Sequence, residues 1–515
     1  MHLQKRNIII FTYVTIFSLV VPALFWLSSS PSQQKAQKKP DVLPDKKAKV
    51  FKPELETNRQ ISKGEKILIT ADRNLQKDFA VEAFANGDYT AAVAGYKAAL
   101  QIERNDPEAW IYKNNSQAIL AGDFLKIAVV VPIGGNLNAA KEILRGVAQI
   151  QEEVNNNGGI DGKLLQVAIA NDNNDPVVSK QIASNLSQDK NILGIVGHNS
   201  TEASTAAAPI YQKAGLVMIS PTSIGMSLSN LGDYIFRTIP DTRSIAYTLA
   251  NYAVKSARKS NVAICFTSDD KASQSFKDMF EWSIFQAGGK LIKINCDFSQ
   301  PDFNPTNIST NAIASGADAL LLNPAIDDID RAIDTVRANK QRLPLLGNQT
   351  MYIFETLRQG SVEANGMVLS VTWHPTANAD RAFAKNAETF WGGSVGWRTA
   401  MAYDAAKAIV VGLKSSPTRQ QLQQTLSDDN FCFSGATGRV NFLPSGDRSP
   451  DSLFNGLKTT PSAITSTGHT KALATCTATV LPRRNALSGN LKGNLVKIST
   501  GNKSGVGYDF VPVSP

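Results

Sequence analysis

The residues of this 515-residue chain that could do chemistry are scattered rather than convergent. Four histidines, His2, His198, His374 and His469, form no H-x-x-x-H or similar pair. No G-x-S-x-G elbow surrounds any serine, so no hydroxyl has the setting of a nucleophile. No Walker motif or G-x-G-x-x-G follows a strand, and Gly134 and Gly135 read as a turn. The acidic run DDIDRAID fits the first turn and solvated face of a helix. Cys265, Cys296, Cys432 and Cys476 lack the C-x-x-C spacing of a structural zinc site. Cys432 and Cys476, both in the loop-rich C-terminal part, are candidates to pair in an oxidising compartment. Cys265, in the strand-like run NVAICF, reads as a small buried hydrophobe. Trp391 and Trp397 flank glycines and read as packing groups. His198 either contacts a ligand or merely ends a strand. These residues predict a protein that is not an enzyme and needs no cofactor or metal. What remains is binding chemistry, which polar turns on a regular framework can supply.

That framework is legible. LKIAVVVPI is a continuous β-branched run, as a strand buried on both faces requires. A helix follows at 138–156 and stops at Gly158 and Gly159, where a left-handed turn is cheap for glycine alone. A strand at 164–170, a helix at 176–188, a strand at 192–196, a helix at 202–214 and a strand at 216–219 come next. After Pro240 the alternation restarts: helix 244–257, strand NVAICF, helix 273–287, strand KLIKIN, helix 304–315, strand ALLLN and helix 326–339. Two such series in tandem predict an α/β chain of two lobes, each a parallel sheet covered by helices, with a cleft between them. The acidic, amide-rich loop Asn171–Pro176 lies beyond the carboxyl end of a strand, the edge at which open α/β sheets bind ligands.

The N-terminal part is different. Ile8 to Leu27 is about 20 residues without a charge, enough for one helical bilayer span. We read 1–28 as a membrane anchor with the N-terminus inside, a cleaved export signal being the alternative; no cysteine follows for lipidation. Lys35, Lys38 and Lys39 on the outer flank run against the positive-inside rule. Residues 29–66 carry about ten Lys/Arg against about five Asp/Glu, roughly half of the net +9, and read as a solvated basic linker. The rest is near balance, which argues against nucleic acid as a partner. Residues 67–122 are helical, with Phe79, Ala80, Ala83, Gly87, Tyr89, Ala92, Tyr96 and Ala99 at the spacing of one tetratricopeptide repeat, so that segment resembles this repeat. A lone repeat must pack on a neighbour; it is either a plain helical hairpin or a docking surface for a protein partner.

KIAVVVPIGG, GGIDGKLLQVAIANDNNDP, GIVGHNSTEASTAAAPIYQKAGLVMISPTS, YIFRTIPDT, LLLNPAIDDIDRAI, LPLLGNQTMY, TGRVNFLPSGDR and YDFVPV occur in an order that resembles the type I periplasmic-binding fold. The likeness is to the branched-chain amino-acid-binding (Leu/Ile/Val) proteins of ABC transporters and covers about residues 124–515. It implies two lobes joined by three crossovers, about 124–240 with 376–445 and about 241–375 with 446–515, closing on a small ligand. The Thr-, Ser- and Gly-rich stretch at about 451–490 looks like an insertion in the last crossover. The resemblance implies ligand contacts from Ser200 and Thr201, whose loop opens a helix and whose free N–H groups favour an anion. It also implies contacts from Thr222, Ser223 and Ile224, the last standing where the family usually has Thr. In the second lobe Lys271 and Ala272 occupy the place of an aromatic residue. Gln349 replaces the Asp or Glu that pairs with a ligand ammonium. The implied partners are an amino acid or related amide or carboxylate, and the membrane permease of an ABC transporter. A helical segment before this fold also resembles the activators of peptidoglycan synthases. A cell-envelope interaction protein with a vestigial cleft is therefore the competing reading.

Overall fold

The chain enters the first sheet by its edge. In the computed structural model, which describes residues 60–376, 382–414, 416–449, 494–500 and 508–512, a two-residue strand β1 (Ile61–Ser62) pairs antiparallel with β3 (Leu164–Asn171). The anchor, most of the linker and the 451–490 stretch lie outside the described residues, as does Cys476, half of the expected Cys432–Cys476 pair. No helix among the described residues is long and apolar enough to cross a membrane.

Three helices precede the α/β series: α1 (Leu75–Ala85), α2 (Tyr89–Ile102) and α3 (Pro107–Ala121). Asn74, Asp88 and Asp106 cap them, and Pro107 supplies the fixed φ of a first helical turn. Gly95 lets α2 lie against Ala80; a Cβ there would be 2.8 Å from the alanine methyl. A buried ion triad ties the helices together, with Lys77 Nζ 2.6 Å from Asp106 and 2.8 Å from Glu108. Burial works against the lysine charge, but the two carboxylates outweigh it and raise its pKa.

The helical layer seals the free edge of β3. The Asn115 amide donates to the Val167 carbonyl at 2.7 Å and accepts the Val167 N–H at 2.8 Å. Asn155, from α4 (Leu137–Asn156), treats Leu165 in the same way. Side chains thereby finish the pairing that β1 begins, and the exposed edge is blunted.

The first sheet runs β1-β3-β2-β4-β5-β6. Its other strands are β2 (Phe124–Val131), β4 (Ile192–Val196), β5 (Val217–Ser220) and β6 (Ile235–Arg237), covered by α4, α5 (Pro176–Gln188) and α6 (Thr201–Ala214). The second sheet runs β15-β14-β11-β10-β9-β7-β8. It holds β7 (Asn261–Phe266), β8 (Lys290–Ile292), β9 (Ala319–Asn323), β10 (Leu345–Gly347), β11 (Val368–Val371), β14 (Asn494–Thr500) and β15 (Tyr508–Pro512). Its helices are α7 (Thr242–Asn251), α8 (Lys271–Gln286), α9 (Ile308–Ala314), α10 (Ile329–Asn339) and α11 (Phe354–Gly360). After β11 the chain returns to the first lobe as α12 (Ala382–Trp391), α13 (Trp397–Leu413) and α14 (Arg419–Leu426), with the small hairpin β12 (Phe433–Gly435) and β13 (Gly438–Val440). It thus passes between the sheets three times.

Two expectations are corrected. Both sheets are mixed rather than parallel, because β1 and β14 run antiparallel to the strands they join and β15 pairs antiparallel with β14. Cys265 is not a lone hydrophobe: it forms a disulfide with Cys296. The pairing of β7 with β8, continued by the Phe266–Asp297 bridge, sets the two cysteines side by side. The helix stop falls where the glycines predict, with Gly158 and Gly159 at φ of +85° and +82°.

Candidate functional site

The loops at the carboxyl ends of the two sheets face each other across a cleft. On the first-lobe side, β4 delivers the chain to His198, Asn199 and Ser200, and α6 begins at Thr201. His198 is fully buried; its Nδ1 lies 2.6 Å from Asp172 Oδ2 and its Nε2 lies 3.2 Å from the Tyr211 hydroxyl. It touches no ligand space. The loop Asn171–Pro176, expected to bind ligand, stands behind the first wall instead. Asp172 holds the histidine ring and accepts from Ser179, and Asn174 accepts from the Asn199 amide at 3.1 Å. The reason is physical: a fully buried carboxylate requires partners, and the next loop supplies them.

Ser200 caps α6 by accepting the Ala203 N–H at 3.1 Å. Thr201 Oγ1 accepts the Gly225 N–H at 3.1 Å, which leaves the hydroxyl hydrogen for another acceptor. Thr222 donates to the Asn199 carbonyl at 2.7 Å. Ser200, Thr201, Thr222 and Ile224 border the cleft; Ser223 does not. The Ser223 hydroxyl is consumed by Ser204 at 2.7 Å and the Ser200 carbonyl at 2.9 Å, so it props the wall from behind.

The second-lobe side is built from α8 and the turn after β10. Asp270 caps α8 by accepting the Ser273 N–H and borders the cleft with Ala272 and Ser273. Lys271, a predicted contact, is exposed and does not line the space; only its backbone N–H reaches across the cleft, to the Glu202 carboxylate of α6. Asn348 is locked by Asn323 at 2.6 Å and by the Thr350 N–H at 3.0 Å, which fixes the turn carrying Gln349. Gln349 is 2% exposed and borders the cleft, and its Oε1 has no hydrogen-bond partner among the described residues.

A third segment closes the site, and the sequence reading missed it. Trp397 and Arg398 open α13 and border the cleft. The Arg398 guanidinium stacks over the Trp397 ring at 4.4 Å, and its Nη1 lies 3.3 Å from Glu142. Burial lowers the arginine pKa, opposed by the charge of Glu142. Trp397 Nε1, in a residue 2% exposed, has no acceptor. Trp391 does pack, as expected, donating to Gln149 at 3.2 Å.

The space enclosed is about 60 Å³, against roughly 300–1,000 Å³ for a pocket around a drug-sized ligand. The two lobes are drawn together, bridged by Glu202 to the Lys271 N–H and by Asn138 to Glu355. Asp270 is pushed up to about 7, first by burial and then by the facing charges of Glu202 and Asp327. No cluster of three or more metal-ligating side chains occurs among the described residues.

Comparison with known proteins agrees with this geometry. The chain is 24% identical over 189 residues to an amino acid binding protein of Pseudomonas aeruginosa, covering 36% of this chain and 50% of that protein. It is 30% identical over 122 residues to the leucine-, isoleucine-, valine-, threonine- and alanine-binding protein of the same organism, covering 23% of this chain and 32% of the relative. The chain thus spans half or less of the length of these two relatives. A longer match, at 23% identity over 353 residues, covers 65% of this chain and 92% of a Leu/Ile/Val-binding protein of Rhizobium johnstonii. Among solved structures, a leucine binding protein from Thermotoga maritima superposes with a TM-score of 0.59 at 17% identity, covering 76% of this chain and 99% of that one. Their fold is therefore shared. The family pattern described as periplasmic binding protein matches residues 125–454, well over half of the sequence. The chain belongs to the periplasmic binding protein family.

Proposed function

We propose that this protein is an extracytoplasmic solute-binding protein of an ABC-type transporter, and that it takes an amino acid or a related small amide or carboxylate into the cleft. The observation that carries this reading is the pair of buried, unpartnered polar atoms, Gln349 Oε1 and Trp397 Nε1, bordering one space between two lobes. A buried polar atom without a partner is costly, and a bound solute would supply the missing partners. Thr201, with the N-terminus of α6, offers hydrogen-bond donors to an anionic group. Ser200, Thr222, Ile224 and Ala272 shape the rest.

The working step is hinge closure. Ligand bridges the lobes, favours the closed form and shifts an open–closed equilibrium; a permease then reads the closed surface. The names of the relatives support an amino acid, leucine among them, as the solute. The Cys265–Cys296 disulfide supports an oxidising compartment outside the cytoplasm. In this reading Ile8–Leu27 anchors the chain in the membrane.

Calorimetric titration of the full chain in detergent against amino acids, their amides and simple carboxylates tests the reading. Saturable one-to-one binding by a member of the panel is expected. Silence across all three classes would contradict it.

A further inference from the structure

The family's ammonium-pairing carboxylate is replaced here by Gln349, yet a carboxylate still borders the cleft. Asp270 lies in it, one residue before α8. The positive charge nearest in the wall, Arg398, is already matched by Glu142 within the first lobe. The groups facing Asp270 are carboxylates: Glu202 from α6, to which it is hydrogen-bonded side chain to side chain, and Asp327 from the turn before α10. Lys271 beside it is exposed. The closed cleft therefore gathers negative charge without a matching cation among the described residues. An independent feature points the same way. The unpartnered Gln349 Oε1 is an acceptor, 98% buried, and requires an N–H donor. On the opposite side Trp397 Nε1–H and the Thr201 hydroxyl hydrogen require acceptors.

We propose that Asp270 is the residue that receives a protonated amine of the ligand, with Gln349 Oε1 accepting a second N–H of the same group, while Trp397 and Thr201 donate to the ligand's carboxylate end. The negative charge that selects an amine has moved from the position of Gln349 to the cap of α8. This deepens the solute-binding reading and rests on it. A cation placed beside Asp270 offsets the burial and the Glu202 charge that hold a proton there, so ligand binding releases that proton. The release comes from the closed, protonated fraction of the empty protein, so it is seen below about pH 7 and vanishes well above it.

The test uses the full chain and two matched probe pairs: L-leucine with 4-methylpentanoate, and L-alanine with propionate. Each pair differs by the amine. Titrations are run in two buffers of different ionisation enthalpy, at about pH 6 and about pH 8.5, to count protons released. The variant is Asp270→Asn, which keeps the helix cap because asparagine caps as well as aspartate. Expected results are amine probes binding at least about tenfold tighter than their amine-free partners and losing at least about tenfold in Asp270→Asn. Proton release should be measurable near pH 6, at up to one per ligand according to the closed fraction of the empty protein, and absent near pH 8.5. Amine probes that bind Asp270→Asn as tightly as the parent would overturn the proposal and leave the solute-binding reading standing. Amine-free probes that bind as well as the amines would do the same. If the parent chain binds neither class, the ligand-cleft reading fails and this proposal fails with it.

Discussion

The two walls of the cleft are built from opposite chemistry. In the first-lobe wall Ser200, Thr222 and Ser223 each spend a hydrogen bond inside the wall, His198, Asp172 and Tyr211 brace it from behind, and the Trp397 Nε1–H and the Thr201 hydroxyl hydrogen are left to donate. The second-lobe wall is unfinished: beyond its cap bond to Ser273, Asp270 faces other carboxylates, and Gln349 Oε1 has no hydrogen-bond partner among the described residues. The lobes differ in the same sense away from the cleft. Three helices and two asparagine side chains seal the first sheet, whereas the second is stapled by Cys265–Cys296. A rigid wall that offers donors and an electrostatically incomplete wall that offers acceptors is an arrangement that a ligand completes.

The contrast can be broken most forcefully at the brace of the first lobe. Lys77→Met leaves Asp106 and Glu108 buried without their cation, which should cost about 3–5 kcal/mol in urea unfolding. Removing the second lobe's staple with Cys265→Ser/Cys296→Ser should cost about 2–4 kcal/mol, and only under non-reducing conditions, since reductant already opens the bond in the parent. Thr201→Val keeps the volume but leaves the Gly225 N–H without an acceptor, for about 1–3 kcal/mol of stability. That variant should also weaken a carboxylate-bearing probe. Trp397→Phe sharpens the comparison from the other side: its Nε1 has no partner to lose among the described residues, so stability should fall only by the lost packing, about 1 kcal/mol, while binding weakens about tenfold.

The smallest expected effect is on the empty cleft. In the closed cleft Asp270 is pushed up to about 7, first by burial and then by Glu202 and Asp327; opening, which exposes it to water, should lower its pKa. The closed form then binds the proton more tightly than the open form. The ligand-free closed population should therefore fall a few-fold as pH rises toward and through about 7, read by interlobe fluorescence transfer.

Local chemistry was legible to the residue. NVAICF and ALLLN are strands at their expected bounds, and the helix at 176–188 starts on its Asp175 cap and Pro176. Contacts between distant segments were not. β1 is too short to show a period, and the Cys265–Cys296 pairing depends on two strands separated by α8. The site shows the same limit. Six of the eight predicted residues, Ser200, Thr201, Thr222, Ile224, Ala272 and Gln349, meet at one cleft. Lys271 misses it because a helix cap and the first helical residue face different ways, and Ser223 because its hydroxyl turns inward to Ser204 and the Ser200 carbonyl. Asp270 carried a usable signal as the aspartate capping KASQSF. Trp397 and Arg398 carried only the pattern of an arginine after a tryptophan at a helix start, and their approach to the cleft is a property of the second crossover.

The claim that a solute completes the second wall and holds the lobes shut is tested most directly by small-angle scattering of the full chain, titrated with L-leucine and L-alanine at neutral pH. A saturable fall in the radius of gyration, tracking the calorimetric binding curve, is the predicted result. An unchanged profile at concentrations where calorimetry reports saturation would contradict it.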